Sequence, residues 1–455
     1  MPKRNRKYID QTTKFRFMFN PLTFSNYIYV HSKFSSTQEY FNLKPKEAND
    51  VDPLLVLENL QNVKPVFQPI VSAVKHTIIG YEVRGRFMYQ DEWRSLGEFF
   101  QNPDVPDEYK IEVDTHLLKL AMAELLEHGD GCNLFLYRDA NQLLADGGGG
   151  FLDVLKEFEA KGFSLERIVL EITEHAFEED FESLNHLLMY YKTYGIQIAV
   201  DHVGAKSSNI DRIRQLKPDI LKIDTTVIRT NRPDAFQDIV YSLSLLARRI
   251  GAKLSYEHIE DDHQLHFAWK HGGHYYQGYY LAKPAFNLLS NDSLQVDVGD
   301  RIQGFIDLEK SVIAKCLTFS ANCEEIVKKN ASKWAGAEQS DDFLKLLAAP
   351  FALESFRMYI CNSNGQQVSP NYRKRNGGWE IETEQKGAHW AFRPYFLENI
   401  MRMKKWPRGI LSDTYSDIET GDIIRTFSYP LSADNFLFID ISSDFLFEND
   451  YLLRR

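Results

Sequence analysis

Residues 196–204 read IQIAVDHVG. Gly195 closes a helical pattern, a run of apolar β-formers follows, and the run ends by presenting Asp201 and His202 ahead of Gly204. A helix stopped by glycine and followed at once by a short apolar strand is the joint of an alternating α/β fold. Apolar strand patterns of this kind recur at VFQPIVS (66–72), GYEVRGRF (80–87), NLFLYRD (133–139), RIVLEITE (167–174), ILKIDTT (220–226), KLSYEHIE (253–260) and YYQGYYLAKP (275–284). Helical patterns such as 112–129 and 238–251, the latter ending at Gly251, lie between them. Eight strand signals alternating with helices predict an α/β fold, a (β/α)8 TIM-like barrel, over residues 51–290. A doubly wound open sheet is the competing arrangement. It usually needs fewer strands in this length, and no G-x-G-x-x-G follows a strand here.

The 455 residues leave room for more than this barrel. Hydrophobic residues make up 44% and charged residues 26%, the balance of a chain that buries a core. The net charge is −11, from 53 Lys and Arg against 64 Asp and Glu, which argues against nonspecific binding of a nucleic-acid polymer. The four cysteines form no C-x-x-C pair and read as reduced thiols of a cytoplasmic protein. No apolar run is long enough to span a membrane. Residues 1–50 show no periodicity and read as an irregular N-terminal extension; the basic start MPKRNRK lacks the apolar core of a secretory signal. Residues 291–345 read as a helical linker, with Ile302, Phe305, Ile306, Val312, Ile313, Cys316 and Leu317 on one stripe. Glu309 interrupts a coiled-coil seam, so the stripe is expected to pack on a neighbouring domain. Residues 346–455, with strands FRMYICN (356–362) and NFLFIDI (435–441), read as an α+β domain with an antiparallel sheet.

In a barrel of this type the C-terminal strand ends face one site. The apolar runs here close on Gln68, on Glu82 with Arg86, on Asp139, on Glu171 with Glu174, on Asp201, on Lys222 with Asp224, on Glu257 with Glu260, and on Gln277. One buried acid is ordinarily capped or salt-bridged. Glu82, Glu171, Asp201 and Glu257 come from four strands and would converge, and like charges that close require a cation. Hard oxygen ligands suit Mg²⁺, Mn²⁺ or Ca²⁺. Arg86 and Lys222 add positive charge for an oxyanion, although Lys222 reads equally well as a salt-bridge partner of one of the acids. The residues alone lead to a metal-dependent site for a phosphate-bearing ligand.

The same residues resemble the EAL-domain family, the cyclic di-GMP phosphodiesterases, from about residue 55 to 285. FQPIV (67–71) is similar to the family's Gln-Pro-Ile segment, and YEVRGR (81–86) stands at its Glu-Ala-Leu-x-Arg signature. LEITEH (170–175) corresponds to Glu-x-Thr-Glu, VDHVG (200–204) to Asp-Asp-Phe-Gly and LKID (221–224) to Lys-x-Asp. YEHIE (256–260) corresponds to Glu-Gly-Val-Glu and YYQGYYLAKP (275–284) to the Gln-Gly-Tyr stretch. The resemblance implies metal ligation by Glu82, Glu171 and Asp201. It implies that Lys222 orients or deprotonates the attacking water, and that Glu257 completes the metal and water network. Arg86 would meet a ligand phosphate, Gln68, Gln277 and Glu260 would line the ligand, and Glu174 would brace the loop after the Asp201 strand. Mg²⁺ or Mn²⁺ is the implied cofactor, with Ca²⁺ as an inhibitory occupant, and a homodimer is the implied assembly.

Three positions depart from the family pattern. A metal-binding Asn is replaced by Tyr137, the second Asp of Asp-Asp-Phe-Gly by His202, and the signature Leu by Arg84. Asp201 can still ligate a metal, and His202 offers a softer nitrogen ligand in place of an anionic oxygen. Losing an anionic ligand weakens a second metal, on which two-metal hydrolysis relies. The expectation is a protein that binds cyclic di-GMP at a divalent-metal site with weak or degenerate phosphodiesterase activity. The alternative is an active phosphodiesterase forming pGpG, gated by the C-terminal domain, with Asp139 or His202 compensating.

The C-terminal segment, residues 350–455, resembles the PAS/Cache-like sensor domain that some EAL proteins carry, with HWAFRPYF (389–396) and SDTYSDIETGDIIRTFSYPL (412–431) similar to a Cache ligand pocket. Trp390, Arg393 and Tyr395 would hold the carboxylate of a small metabolite, and Asp413, Tyr415 and Asp417 its amine or hydroxyl. The same residues also read as a packed, salt-bridged loop.

Overall fold

The structure, a computed structural model, describes residues 52–129, 131–145, 147–173, 181–204, 210–226 and 233–453. The extension expected over 1–50 lies outside them, as does Glu174. Nine strands form the first sheet: β1 (Val63–Ser72), β2 (Ile78–Tyr89), β3 (Glu92–Ser95), β4 (Asn133–Tyr137), β5 (Ile168–Thr173), β6 (Gln197–Asp201), β7 (Ile220–Asp224), β8 (Lys253–Glu257) and β9 (Tyr275–Tyr276). Their order is β1-β9-β8-β7-β6-β5-β4-β2-β3, and β1 also pairs with β2, which closes eight strands into a barrel with β3 on its edge.

The barrel differs from the expected eight parallel strands. β1 runs antiparallel to both β2 and β9. Only residues 73–77 connect β1 to β2, and so short a link cannot carry the crossover that a parallel pair requires. The other departure lies in YYQGYYLAKP, where only Tyr275–Tyr276 is strand. Beyond it the chain folds back over the β8 loop: Ile259 N–H donates to Gln277 O at 3.1 Å and Tyr280 N–H to Ile259 O at 3.0 Å. Gly278 permits this approach, since a Cβ there would lie 2.0 Å from Ile259 O.

Strand alternation sorts the side chains. Leu170, Ile172, Ile198, Val200, Leu221, Ile223, Leu254 and Tyr256 face outward into the helix-covered core. Ile70, Phe135, Val169, Ala199 and Ile220 form a separate buried cluster inside the barrel. Two residues further towards the parallel strands' C-terminal ends lie Gln68, Tyr137, Glu171, Asp201 and Lys222. The apolar layer is therefore the floor of a polar one.

Helix Gln295–Ala331 joins two cores. Val298, Ile302 and Phe305 pack into the barrel's outer core. Val312, Cys316, Cys323 and Val327 pack against a second sheet. Leu317, expected on the same stripe, is exposed. The second sheet contains β10 (Ser355–Asn362), β11 (Asn371–Arg375), β12 (Gly378–Glu382), β13 (Ile410–Leu411), β14 (Tyr415–Ser416), β15 (Ile423–Pro430) and β16 (Asn435–Ile441). It is antiparallel, in the order β12-β11-β10-β16-β15-β13, with β14 on β15. Helix Pro394–Lys405 covers its other face through Phe396, Ile400 and Met403. Among the described residues no helix is long and apolar enough to cross a membrane.

Candidate functional site

The barrel places Lys222 among four carboxylates. Its Nζ lies 2.9 Å from Glu171 Oε1, 3.1 Å from Glu82 Oε2, 3.2 Å from Glu257 Oε2 and 3.8 Å from Asp201 Oδ1. All five residues are buried. The salt-bridge reading of Lys222 thus holds towards four acids at once. The arrangement follows from register: Gln68 pairs with Glu82 across β1 and β2, and Asp224 with Glu257 across β7 and β8.

The carboxylates are not equivalent. Glu82 is served on both oxygens by protein donors: Arg84 Nε donates to Oε1 at 2.8 Å, while Gln277 Nε2 at 2.6 Å and Lys222 Nζ at 3.1 Å donate to Oε2. Burial opposes its ionisation, but Lys222 and Arg84 prevail and hold its pKa down at about 2. Glu257 is likewise held low, by Lys222 and His202 against burial. Burial pushes Asp201 up to about 6 and Glu171 well above the usual carboxylate range, beyond what Lys222 offsets. Glu171 Oε1 faces Lys222 Nζ at 2.9 Å and Glu257 Oε1 faces His202 Nδ1 at 3.2 Å, whereas the amide oxygens Gln68 Oε1 and Gln277 Oε1 are buried without a hydrogen bond.

His202 and His258 follow the ends of β6 and β8 with left-handed backbones, φ 56° and 57°. His202 Nδ1 lies 3.2 Å from Glu257 Oε1 and 3.8 Å from Asp201 Oδ1, and the contact to Glu257 raises its pKa to about 9. His258 Nδ1 lies 3.2 Å from Asp224 Oδ1. Potential ligand atoms of Asp201, His202 and Glu257 fall within 4.8 Å of one another, as do those of Asp224, Glu257 and His258. Four buried carboxylates converging from four strands, with these ligand atoms close together, fit a divalent cation. Glu171, Asp201 and Glu257 would hold it, Glu82 joining them only by giving up its protein donors, and it would supply charge stabilisation at a phosphate.

The remaining expected residues are scattered. Gln68 Nε2 donates to Ala282 O at 2.8 Å. Arg86 shares the face of Glu82 and Arg84 along β2 and donates to Gly85 O and Ser95 Oγ. Glu260 is exposed in the β8 loop, its backbone N–H donating to Gln264 Oε1 at 2.7 Å. Tyr137 sits beside Glu171 but remains 45% exposed, outside the buried cluster. Asp139 does not take over from it. β4 ends at Tyr137, and Asp139 Oδ1 accepts from the N–H groups of Asn141 (2.8 Å) and Gln142 (3.3 Å), capping helix Ala140–Ala145. Asp224 was read from the sequence as a strand-end residue beside Lys222, but His258 was not singled out, although it stands directly after Glu257 in YEHIE.

In the second domain, Arg393 and Tyr359 line two cavities. Trp390 and Asp417 line one, and Tyr415 lines the other. Asp413 lines neither and is exposed. The side chain of Tyr395 lies outside the described residues. Asp417 is committed elsewhere: Arg357 Nη2 donates to its Oδ1 at 2.6 Å, so it is not a free amine acceptor.

The EAL domain family matches residues 54–284, and the family described as an EAL-domain associated signalling protein domain matches 288–453. The chain is 45% identical over 409 residues to the uncharacterized EAL-domain containing protein YkuI of Bacillus subtilis (strain 168), covering 89% of this chain and 100% of that protein. It superposes with a TM-score of 0.83, at 44% identity, on a crystal structure of B. subtilis YkuI in complex with substrate c-di-GMP and calcium, covering 88% of this chain and 100% of that one. It is also 28% identical over 178 residues to the cyclic di-GMP phosphodiesterase PdeA of Borreliella burgdorferi, covering 38% of this chain and 26% of that protein. The chain belongs to the EAL-domain family and carries the EAL-associated signalling domain after its barrel.

Proposed function

We propose that the barrel is a receptor for cyclic di-GMP that hydrolyses it slowly or not at all. The observation that carries this reading is the state of Glu82. The carboxylate at the family's signature position is hydrogen-bonded on both oxygens by Arg84, Lys222 and Gln277, and is poorly available to a catalytic cation. Ligand recognition is supported by the likeness to YkuI, whose crystal structure holds c-di-GMP and calcium, and by Arg84 and Arg86 on one face of β2. Tyr137 and His202, two positions where the family has an amide and a carboxylate, point the same way. The test is purified protein with cyclic di-GMP and Mg²⁺ or Mn²⁺, followed by calorimetry for binding and chromatography for pGpG. Binding without pGpG supports the receptor; robust pGpG formation establishes the alternative, an active phosphodiesterase.

The second domain, in this reading, is a PAS/Cache-like sensor whose Arg393 binds the carboxylate of a small metabolite, and the protein acts in the cytoplasm as a homodimer. Among the described residues of the expected set, Arg393 is the one that borders both cavities. A thermal-shift screen of carboxylate metabolites checks it: a hit lost in Arg393→Ala supports the sensor, and no hit at millimolar ligand counts against it.

A further inference from the structure

We propose that Arg84 is a built-in cation of the nucleotide site, supplying to Glu82 the positive charge that a divalent ion would otherwise provide. This rests on the receptor reading of the barrel and goes beyond it, because it concerns how that site is charged. Glu82, Arg84 and Arg86 occupy alternate positions of β2 and share one face. Arg84 is therefore turned towards the site, not out to solvent, and its Nε is 2.8 Å from Glu82 Oε1. The guanidinium is only partly exposed, at 30% of the side chain. It is charged at every accessible pH and, unlike a metal ion, does not dissociate. Lys222 supplies a second fixed cation on the other oxygen of the same carboxylate.

Two consequences separate Arg84 from a side chain that merely decorates the rim. A divalent cation must compete with Arg84 for Glu82, so cation affinity is low. An anionic ligand finds fixed positive charge already present, so its binding does not depend on the cation. Leucine, the residue of the family signature, would remove both effects.

The test uses the full chain, dialysed free of metal, as wild type, Arg84→Leu and Arg84→Lys, each checked by circular dichroism for an intact fold. In the first arm Mn²⁺ alone is titrated by calorimetry. Arg84→Leu should bind Mn²⁺ about tenfold or more tightly than wild type, with Arg84→Lys between them. Equal affinities would overturn the proposal. In the second arm cyclic di-GMP is titrated in EDTA and in Mn²⁺. Wild type should bind in both within about fivefold, while Arg84→Leu loses about tenfold or more in EDTA and recovers in Mn²⁺. Wild-type binding that vanishes in EDTA would overturn it as well. No nucleotide binding in either condition would sink the receptor reading together with the nucleotide half of this proposal, and the Mn²⁺ arm would still decide whether Arg84 guards Glu82.

Discussion

Lys222 Nζ lies 2.9 Å from Glu171 Oε1, and both side chains are 99% out of contact with solvent. The lysine is the common neighbour of Glu82, Glu171, Asp201 and Glu257. Removing it strips Glu171 of its ion-pair partner and leaves the four acids with cations only at the rim, Arg84 beside Glu82 and His202 beside Glu257. Lys222→Met should therefore lower the stability of metal-free protein by about 3–5 kcal/mol, the usual cost of stripping one partner from a buried ion pair. Mn²⁺ should restore more stability to the variant than it adds to wild type. Thermal melts in EDTA and in Mn²⁺ check both statements, and a variant as stable as wild type in EDTA would refute the first.

His202 gives the metal-free protein a pH signature. Its folded pKa, about 9, lies above the unfolded value of about 6.5. A group whose pKa is raised on folding adds stability that is fully present below the unfolded pKa and disappears as the pH rises through the folded one. The melting-temperature gap between wild type and His202→Gln, measured in EDTA, should be largest near pH 6 and should close by about pH 10. The ring is 41% exposed, so solvent screens the effect and the gap should be modest. A gap that does not change with pH would show that the imidazolium contact with Glu257 contributes nothing.

The strand ends were legible in the sequence because a strand has period two. Val169, Ala199 and Ile220 fill the barrel floor, and each is followed two positions later by a site residue: Glu171, Asp201 and Lys222. The direction of β1 was not marked by any side chain; only the five-residue link to β2 records it. Asp139 could have been recognised, since an Asp directly ahead of a helical segment is a capping signal, but strand alternation read on past Tyr137 placed it in the site. The loss of Asp417 from the sensor set was beyond any local pattern, because its partner Arg357 lies 60 positions earlier.

Restoring the family residues should rebuild the cation site. Tyr137 adjoins Glu171 across β4 and β5, and His202 contacts both Asp201 and Glu257. Tyr137→Asn supplies a small amide oxygen, and His202→Asp supplies a carboxylate where an imidazole now pairs with acids. The double variant should bind Mn²⁺ about tenfold more tightly than wild type and should form pGpG faster. Calorimetry and chromatography measure the two effects separately. Tighter Mn²⁺ without faster hydrolysis would locate the remaining defect at Glu82 and Arg84, and adding Arg84→Leu tests that directly.

The second domain has its own buried ion network, and it predicts a structural role for residues that a pocket reading would treat as ligand contacts. Arg357 donates to Asp440 Oδ2 at 2.6 Å, to Asp417 Oδ1 at 2.6 Å and to Glu419 Oε2 at 3.0 Å. Thr426 Oγ1 donates to the second oxygen of Asp440 at 2.7 Å, so the carboxylate is matched on both sides. Asp440 is fully buried, and burial alone would penalise the charge of Arg357, yet the acids raise its pKa. Arg357→Ala would strand the Asp440 and Asp417 carboxylates and should cost this domain about 3–5 kcal/mol. By contrast, Arg402→Ala breaks an exposed helical pair with Glu398 and should cost no more than about 0.5 kcal/mol. Urea unfolding followed by tryptophan fluorescence reports both transitions, because Trp379, Trp390 and Trp406 lie in this domain and Trp93 and Trp269 in the barrel. A selective fall of the second-domain transition in Arg357→Ala, with the barrel transition unchanged, is the expected result; equal small losses in both variants would mean that Arg357 is not a structural centre.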